Sequence, residues 1–185
     1  GVILAGALIG SLFLSAEPRE VSHDFQTGLN RRTALAALAI FAALLVVLPI
    51  WHTLQSGADV RSDVIAQFDA FYRTGSLVFG GGHVVLPLLQ GETVASGWVT
   101  HDQFVAGYGA AQAVPGPLFT FAAYLGAVGT GASNGVLGAT VCILAIFLPS
   151  FLLVFGTLPF MNELDRQPWL RRAMPGVNAA VVGLL

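Results

Sequence analysis

Phe79-Gly80-Gly81-Gly82-His83-Val84-Val85-Leu86-Pro87-Leu88-Leu89-Gln90-Gly91-Glu92 sets three consecutive glycines, a histidine and a proline inside an otherwise apolar run. In a helix interior each glycine costs roughly 1 kcal/mol and a proline roughly 3. A plain membrane anchor has no use for that combination. In lipid, irregular backbone persists only where protein or a polar cavity satisfies its N–H and C=O groups. The stretch therefore reads as a helix interrupted beside a site.

The surrounding composition places that helix in a membrane. The chain has 185 residues, of which 55% are hydrophobic and 10% charged, with a mean hydropathy of +0.76. Soluble domains carry about 25% charged residues, so the chain reads as an integral membrane protein. Its first and last stretches, 2–14 and 177–185, are apolar, which suggests a single membrane domain cut through a helix at both ends. All eight basic residues are arginines. The guanidinium fork suits tetrahedral oxyanions and lipid phosphates, although a GC-rich genome produces the same bias. The single cysteine, Cys142, excludes an intrachain disulfide and reads as a small buried apolar residue.

Moving outward, residues 1–14 form a partial first helix, 15–33 a polar loop, and 34–51 an uncharged span long enough for a hydrocarbon core of about 30 Å. Residues 52–62 form a second loop. Residues 63–90 combine an amphipathic helix with the glycine-broken half-helix that follows it, for which Gly91 is a candidate stop. A second interrupted segment covers 103–129, with its break at Pro115-Gly116-Pro117 and Pro117 in the first helical position of the second half. Residues 135–158 form another span with a kink expected at Pro149, 159–172 a loop, and 175–185 a partial last helix. The fold expected is an all-α polytopic transmembrane bundle with two interrupted helices, broken or re-entrant.

Loops 15–33 and 159–172 hold three arginines each, against one in 52–62. The positive-inside rule places both rich loops in the cytoplasm. An even number of crossings must then separate them, so the two interrupted segments either both cross or both turn back.

Two interruptions create two half-helix N-termini, at Gly82-His83 and at Gly116-Pro117. Each carries unpaired N–H groups and part of a helix dipole, a combination that attracts anions. Discontinuous helices meeting near the midplane are a common way for transporters to build substrate sites, although a glycine-rich kink also serves as a plain packing device. His83 is an ionisable group within an apolar segment and can switch charge near neutral pH, against the alternative of a neutral side chain bonded to a carbonyl. Gln112 offers two amide donors or serves as interhelical glue. Glu92 and Arg73 are coupling candidates, with an ordinary solvated carboxylate and a snorkelling arginine as the alternatives. No metal-ligand cluster, phosphate loop or nucleophile motif accompanies these residues, so no catalytic residue, metal or other cofactor is expected, and nucleic acid is not an expected partner.

The 79–89 stretch resembles the glycine-rich signature of the chromate ion transporter (CHR) family. So does Gly107-Tyr108-Gly109-Ala110-Ala111-Gln112-Ala113-Val114-Pro115-Gly116-Pro117-Leu118-Phe119-Thr120-Phe121, and the tail from Gly176 to Gly183 is similar to that family as well. The resemblance implies a bacterial inner-membrane, multi-pass carrier that exports chromate, a sulfate analogue, using the proton-motive force. It also implies that the chain is the C-terminal half of an inverted-repeat transporter. The N-terminal homologous half, in the same chain or a second subunit, would then be a partner, together with protons and the lipid bilayer. The candidate substrate-binding set is Gly80, Gly81, Gly82 and His83 on one break, with Gln112, Pro115, Gly116, Pro117 and Thr120 on the other. His83, Glu92 and Arg73 are the coupling candidates. A chromate dianion needs more charge than two helix ends supply, so a cation is expected from protonated His83, from Arg73 or from the missing half. A sulfate or other oxyanion carrier is the main alternative, and a half that only scaffolds its partner is a remote one.

Overall fold

The computed structural model describes residues 30–54, 60–78, 82–131 and 133–165, with 175, 176 and 179. The side chains at 60–62, 83 and 161–165 lie outside that description. Every regular element among the described residues is helical. In chain order they are α1 (Arg31–Leu54), α2 (Val60–Leu77), α3 (Gly82–Thr93), α4 (His101–Ala113), a 3-10 turn (Leu118–Thr120), α5 (Phe121–Val128) and α6 (Gly135–Asp165). Among the described residues, α1 and the Gly135–Phe160 part of α6 are the helices long and apolar enough to cross a bilayer.

Several boundaries differ from the sequence expectation for identifiable reasons. Gly91 does not stop α3, which runs on to Thr93. The reversal is made instead by Gly97, whose φ of 77° is the left-handed conformation that favours glycine. α4 starts at His101, because Thr100 and Gln103 form a reciprocal capping box. Pro117 occupies the cap position of the 3-10 turn, one residue before the helical position expected for it. α1 begins at Arg31, inside the expected 15–33 loop. α6 continues through Pro149 to Asp165, so the first residues of the expected 159–172 loop are helical. The partial helix at 1–14 lies outside the described residues, as does nearly all of the one at 175–185.

The described residues fall into two units. The larger, Ala36–Val154, holds the core, with Phe71, Tyr72, Leu89, Phe121, Leu125, Cys142 and Ile146 almost fully buried. The smaller holds the start of α1 and the end of α6, where the Arg31 guanidinium lies 5.4 Å from the centre of the Phe160 ring. In the larger unit α2 packs on α3, while α4 packs on both α5 and the 3-10 turn. α1 joins through the Tyr72 hydroxyl, which donates to the Phe41 carbonyl at 3.1 Å.

Both glycine- and proline-interrupted segments are helical hairpins. Were α2 and α3 one straight helix, residues 73 and 92 would stand about 28 Å apart, yet Arg73 bonds Glu92 at 3.2 Å. Likewise the Tyr124 hydroxyl donates to the Gln103 carbonyl at 3.2 Å, where a straight path would separate them by about 30 Å. The rings of Phe104 and Phe121, 5.1 Å apart edge to face, close the same hairpin. On either side of each break the flanking helices pack against one another. The open ends of the hairpins meet: Thr130 N–H donates to the Trp98 carbonyl at 2.8 Å, binding the α3–α4 turn to the end of α5.

Candidate functional site

α6 serves as a ruler for the positions of the two hairpin tips. A Cβ on Gly126 would run into the Gly138 carbonyl, so α5 crosses α6 backbone to backbone near its start. Higher up, a Cβ on Gly75 would run into the Ile146 carbonyl, which places the end of α2 there. The Phe119 ring stacks edge to face on Phe147 at 5.6 Å. Gly75 is two residues from the end of α2, and Phe119 is two residues past Pro117. The two motif-bearing tips therefore reach adjacent residues of α6. Those residues lie about 17 Å along an apolar span of about 39 Å, close to its middle.

At the first tip α2 ends at Leu77 and α3 begins at Gly82. Gly80 and Gly81 lie outside the described residues. Gly82 and His83 are the first two residues of α3, and the His83 side chain is outside the description. At the second tip Pro115, Gly116 and Pro117 are exposed. A Cβ on Gly116 would meet nothing within 4 Å, so no packing demand explains that glycine. Thr120 is half-buried and its hydroxyl donates to the Pro117 carbonyl at 3.0 Å.

Thr120 also lines a groove of about 250 Å³ with Gly107, Ala110, Val114, Phe121 and Tyr124. Both hydroxyls in the groove already spend their protons on backbone carbonyls. An anion would meet only lone pairs and hydrocarbon there. The exposed side of α4 is better supplied. Gln112 Nε2 donates to the Tyr108 hydroxyl at 2.7 Å, leaving the second amide N–H and the phenol O–H free to donate. The sequence reading found Gln112 and missed Tyr108, its partner one helical turn earlier.

Arg73 and Glu92, the two charged coupling candidates, are brought together. Arg73 Nη2 lies 3.2 Å from Glu92 Oε2 and 3.4 Å from Asp69 Oδ2. The Asp69 side chain is only 4% exposed, against 38% for Arg73 and 35% for Glu92. The cation is already matched by two carboxylates, so Arg73 contributes no net positive charge to the tip. The sequence has the Asp69–Arg73 spacing of four and marked Glu92 as a candidate, but it did not show that Glu92 pairs with Arg73, which the hairpin brings about across 19 residues. No cluster of three or more metal-ligating side chains occurs among the described residues.

The family model for chromate transporters matches residues 65–185, spanning both hairpins and α6. The chain belongs to the chromate transporter family. It is 32% identical over 155 residues to a chromate transport protein of Pseudomonas aeruginosa, covering 82% of this chain and 36% of that protein. A chromate transport protein of Cupriavidus metallidurans is 29% identical over 66% of this chain and 30% of its own length. The uncharacterized transporter YwrB of Bacillus subtilis is 37% identical over 63% of this chain and 58% of its own. The chain thus spans about a third of the length of the chromate transport proteins it matches. No solved structure matches it.

Proposed function

We propose that this chain is the oxyanion-handling part of a longer transporter that exports chromate from bacteria, conferring chromate resistance, with sulfate as a competing substrate. The observation that carries the reading is the convergence of the two tips on Ile146 and Phe147, close to the middle of the apolar Gly135–Phe160 part of α6. A site there has equal access to both faces as the surrounding helices rock, which is what alternating access requires. In this reading Gly80, Gly81 and Gly82 supply backbone N–H groups at the start of α3. Pro115, Gly116, Pro117 and Thr120 shape the facing tip, and Gln112 contributes amide donors. The chain acts as a carrier and not as an enzyme.

The two hairpins are re-entrant in this proposal, so α1 and α6 are the crossings and loops 15–33 and 159–172 share the cytoplasmic side of the inner membrane. The remainder of the longer protein supplies the homologous half. With Arg73 held by two carboxylates, the charge that balances a dianion falls to His83 and to that half. Proton-motive-force coupling through a protonated His83 follows from the same need.

The test is chromate transport by the full-length protein in everted vesicles, with sulfate, molybdate and phosphate as competitors. Chromate transport inhibited by sulfate, and lost in His83→Gln and Gly81→Leu variants that still assemble, is the expected result. Unchanged transport and pH dependence in His83→Gln removes that residue from the mechanism. Intact transport in Gly81→Leu leaves the chain as a scaffold.

A further inference from the structure

We propose that Asp69, Arg73 and Glu92 form a proton-binding site that couples the movement of the two hairpin arms to the proton gradient, an inference that rests on the transport reading above. Two carboxylates share one guanidinium nitrogen, at 3.4 and 3.2 Å. The cluster therefore carries one surplus negative charge, and a single proton makes it neutral. Burial makes the surplus costly, since a charge taken out of water must be matched. Asp69 is more than nine-tenths buried, and its Oδ1 has no hydrogen-bond partner. Arg73 Nε is likewise buried and unpartnered. The cluster thus has one buried carboxylate with an acceptor position to spare, which is where a proton binds.

The surroundings leave few competing groups. On α2 the cluster is Asp69 and Arg73 themselves, and on α3 it is Glu92. His52, in the last turn of α1, is the additional charge within electrostatic reach of Asp69. From α4, His101 Nδ1 lies 3.4 Å from the Gln90 amide, two residues before Glu92 on α3. Over 135–154, α6 carries no ionisable residue apart from the buried thiol of Cys142.

The location supplies the coupling. Arg73–Glu92 is an ion pair between the two arms of the first hairpin, whereas Arg73–Asp69 lies within one arm. One proton added to the two carboxylates leaves Arg73 a single ionised partner, and one proton lost restores both. Arg73 stands two residues before Gly75, where α2 touches α6 at Ile146, near the middle of its apolar part. A change in the pair between the arms acts directly on the tip.

The experiment uses the full-length transporter in proteoliposomes. Acidification should produce a protonated-carboxyl infrared band in the wild type that is missing from both Asp69→Asn and Glu92→Gln, because either change removes the surplus charge. One proton per cycle predicts about a tenfold change in the steady-state oxyanion ratio per unit of pH gradient, and both variants should lose that dependence. The Asp69→Glu variant, which keeps the charge, should retain it. Should Asp69→Asn fail to fold, Glu92→Gln, at the half-exposed position, carries the comparison alone. The same infrared band and the same gradient dependence in the variants as in the wild type would overturn the proposal. A wild type that moves no oxyanion defeats the transport reading instead, while the infrared comparison still decides the proton site.

Discussion

Gly75→Ala tests the contact on which the placement of the first tip depends. In an open helix interior, alanine in place of glycine gains about 0.5–1 kcal/mol. At Gly75 the new methyl meets the Ile146 carbonyl group, with its carbon only 3.0 Å away. That group belongs to the α6 backbone and has no rotamer to escape into, so α2 and α6 must part. Overpacking of this kind costs about 1–3 kcal/mol, which exceeds the propensity gain and leaves a net loss of about 1–2 kcal/mol. At 2–4 °C per kcal/mol for a chain of this size, the midpoint should fall by about 2–8 °C. Gly109→Ala, in α4 with nothing within 4 Å of the new methyl, is the matched control and should rise by a few degrees. The assay is thermal unfolding in detergent, followed by reaction of the lone buried thiol of Cys142, one helical turn from Ile146, with a fluorogenic maleimide. A Gly75→Ala protein at least as stable as Gly109→Ala would refute the backbone contact, and with it the placement of the tip at mid-span.

Three further outcomes test neighbouring parts of the same architecture. Tyr72→Phe removes the half-buried hydrogen bond from α2 to the Phe41 carbonyl and should cost about 0.5–1.5 kcal/mol, read as a lower thermal midpoint. Thr100→Ala removes the hydroxyl that accepts from the Gln103 N–H, while the reverse bond from the residue-100 N–H to Gln103 Oε1 can persist; it should cost about 1 kcal/mol, with faster amide hydrogen exchange confined to the first turn of α4. Arg73→Ala strips the buried Asp69 of its counter-ion and should destabilise by about 1–3 kcal/mol, while adding Asp69→Asn to it should recover part of the loss. Strict additivity of those two substitutions would contradict the ion pair.

How much of this was legible in the sequence depended on the distance over which each feature is decided. Local features were largely readable. The uncharged run from Ala34 marked α1, and Pro115-Gly116-Pro117 marked the end of α4, because helix breaking is a property of a few adjacent residues. The start of α4 was readable too, since Thr100 and Gln103 have capping-box spacing, but the reading began the helix two residues late. Gly91 misled for the opposite reason: glycine ends a helix only where the chain needs a positive φ, and that need arises at Gly97. The long-range features were not readable. The positions of Gly75, Gly107 and Gly126 look like ordinary small residues in sequence. Only the fold shows that a Cβ at Gly107 would enter the Tyr124 ring, or that Gly75 and Gly126 let two helices touch α6.

The charge balance shows most clearly what the fold adds to the motifs. From sequence, Arg73 was a candidate cation for an anion bound at the glycines, with Asp69 four residues before it and a snorkelling arginine as the alternative. In the fold its guanidinium is shared by Asp69 and Glu92, and an oxyanion could claim it only by displacing a carboxylate. Displacement becomes easier when that carboxylate is protonated, because a neutral carboxyl gives up the charge-assisted part of its bond to Arg73, about 1–2 kcal/mol. In the proposed transporter, proton uptake at the cluster and anion arrival at the tip would therefore favour each other, and linkage makes such an effect reciprocal. A bound dianion should raise the proton affinity of Asp69–Arg73–Glu92 by the same factor that a bound proton raises the affinity for the dianion. Chromate added to lightly buffered protein should thus draw protons from solution in the wild type and not in Glu92→Gln, and the same proton uptake in Glu92→Gln as in the wild type would refute the link between the cluster and the anion.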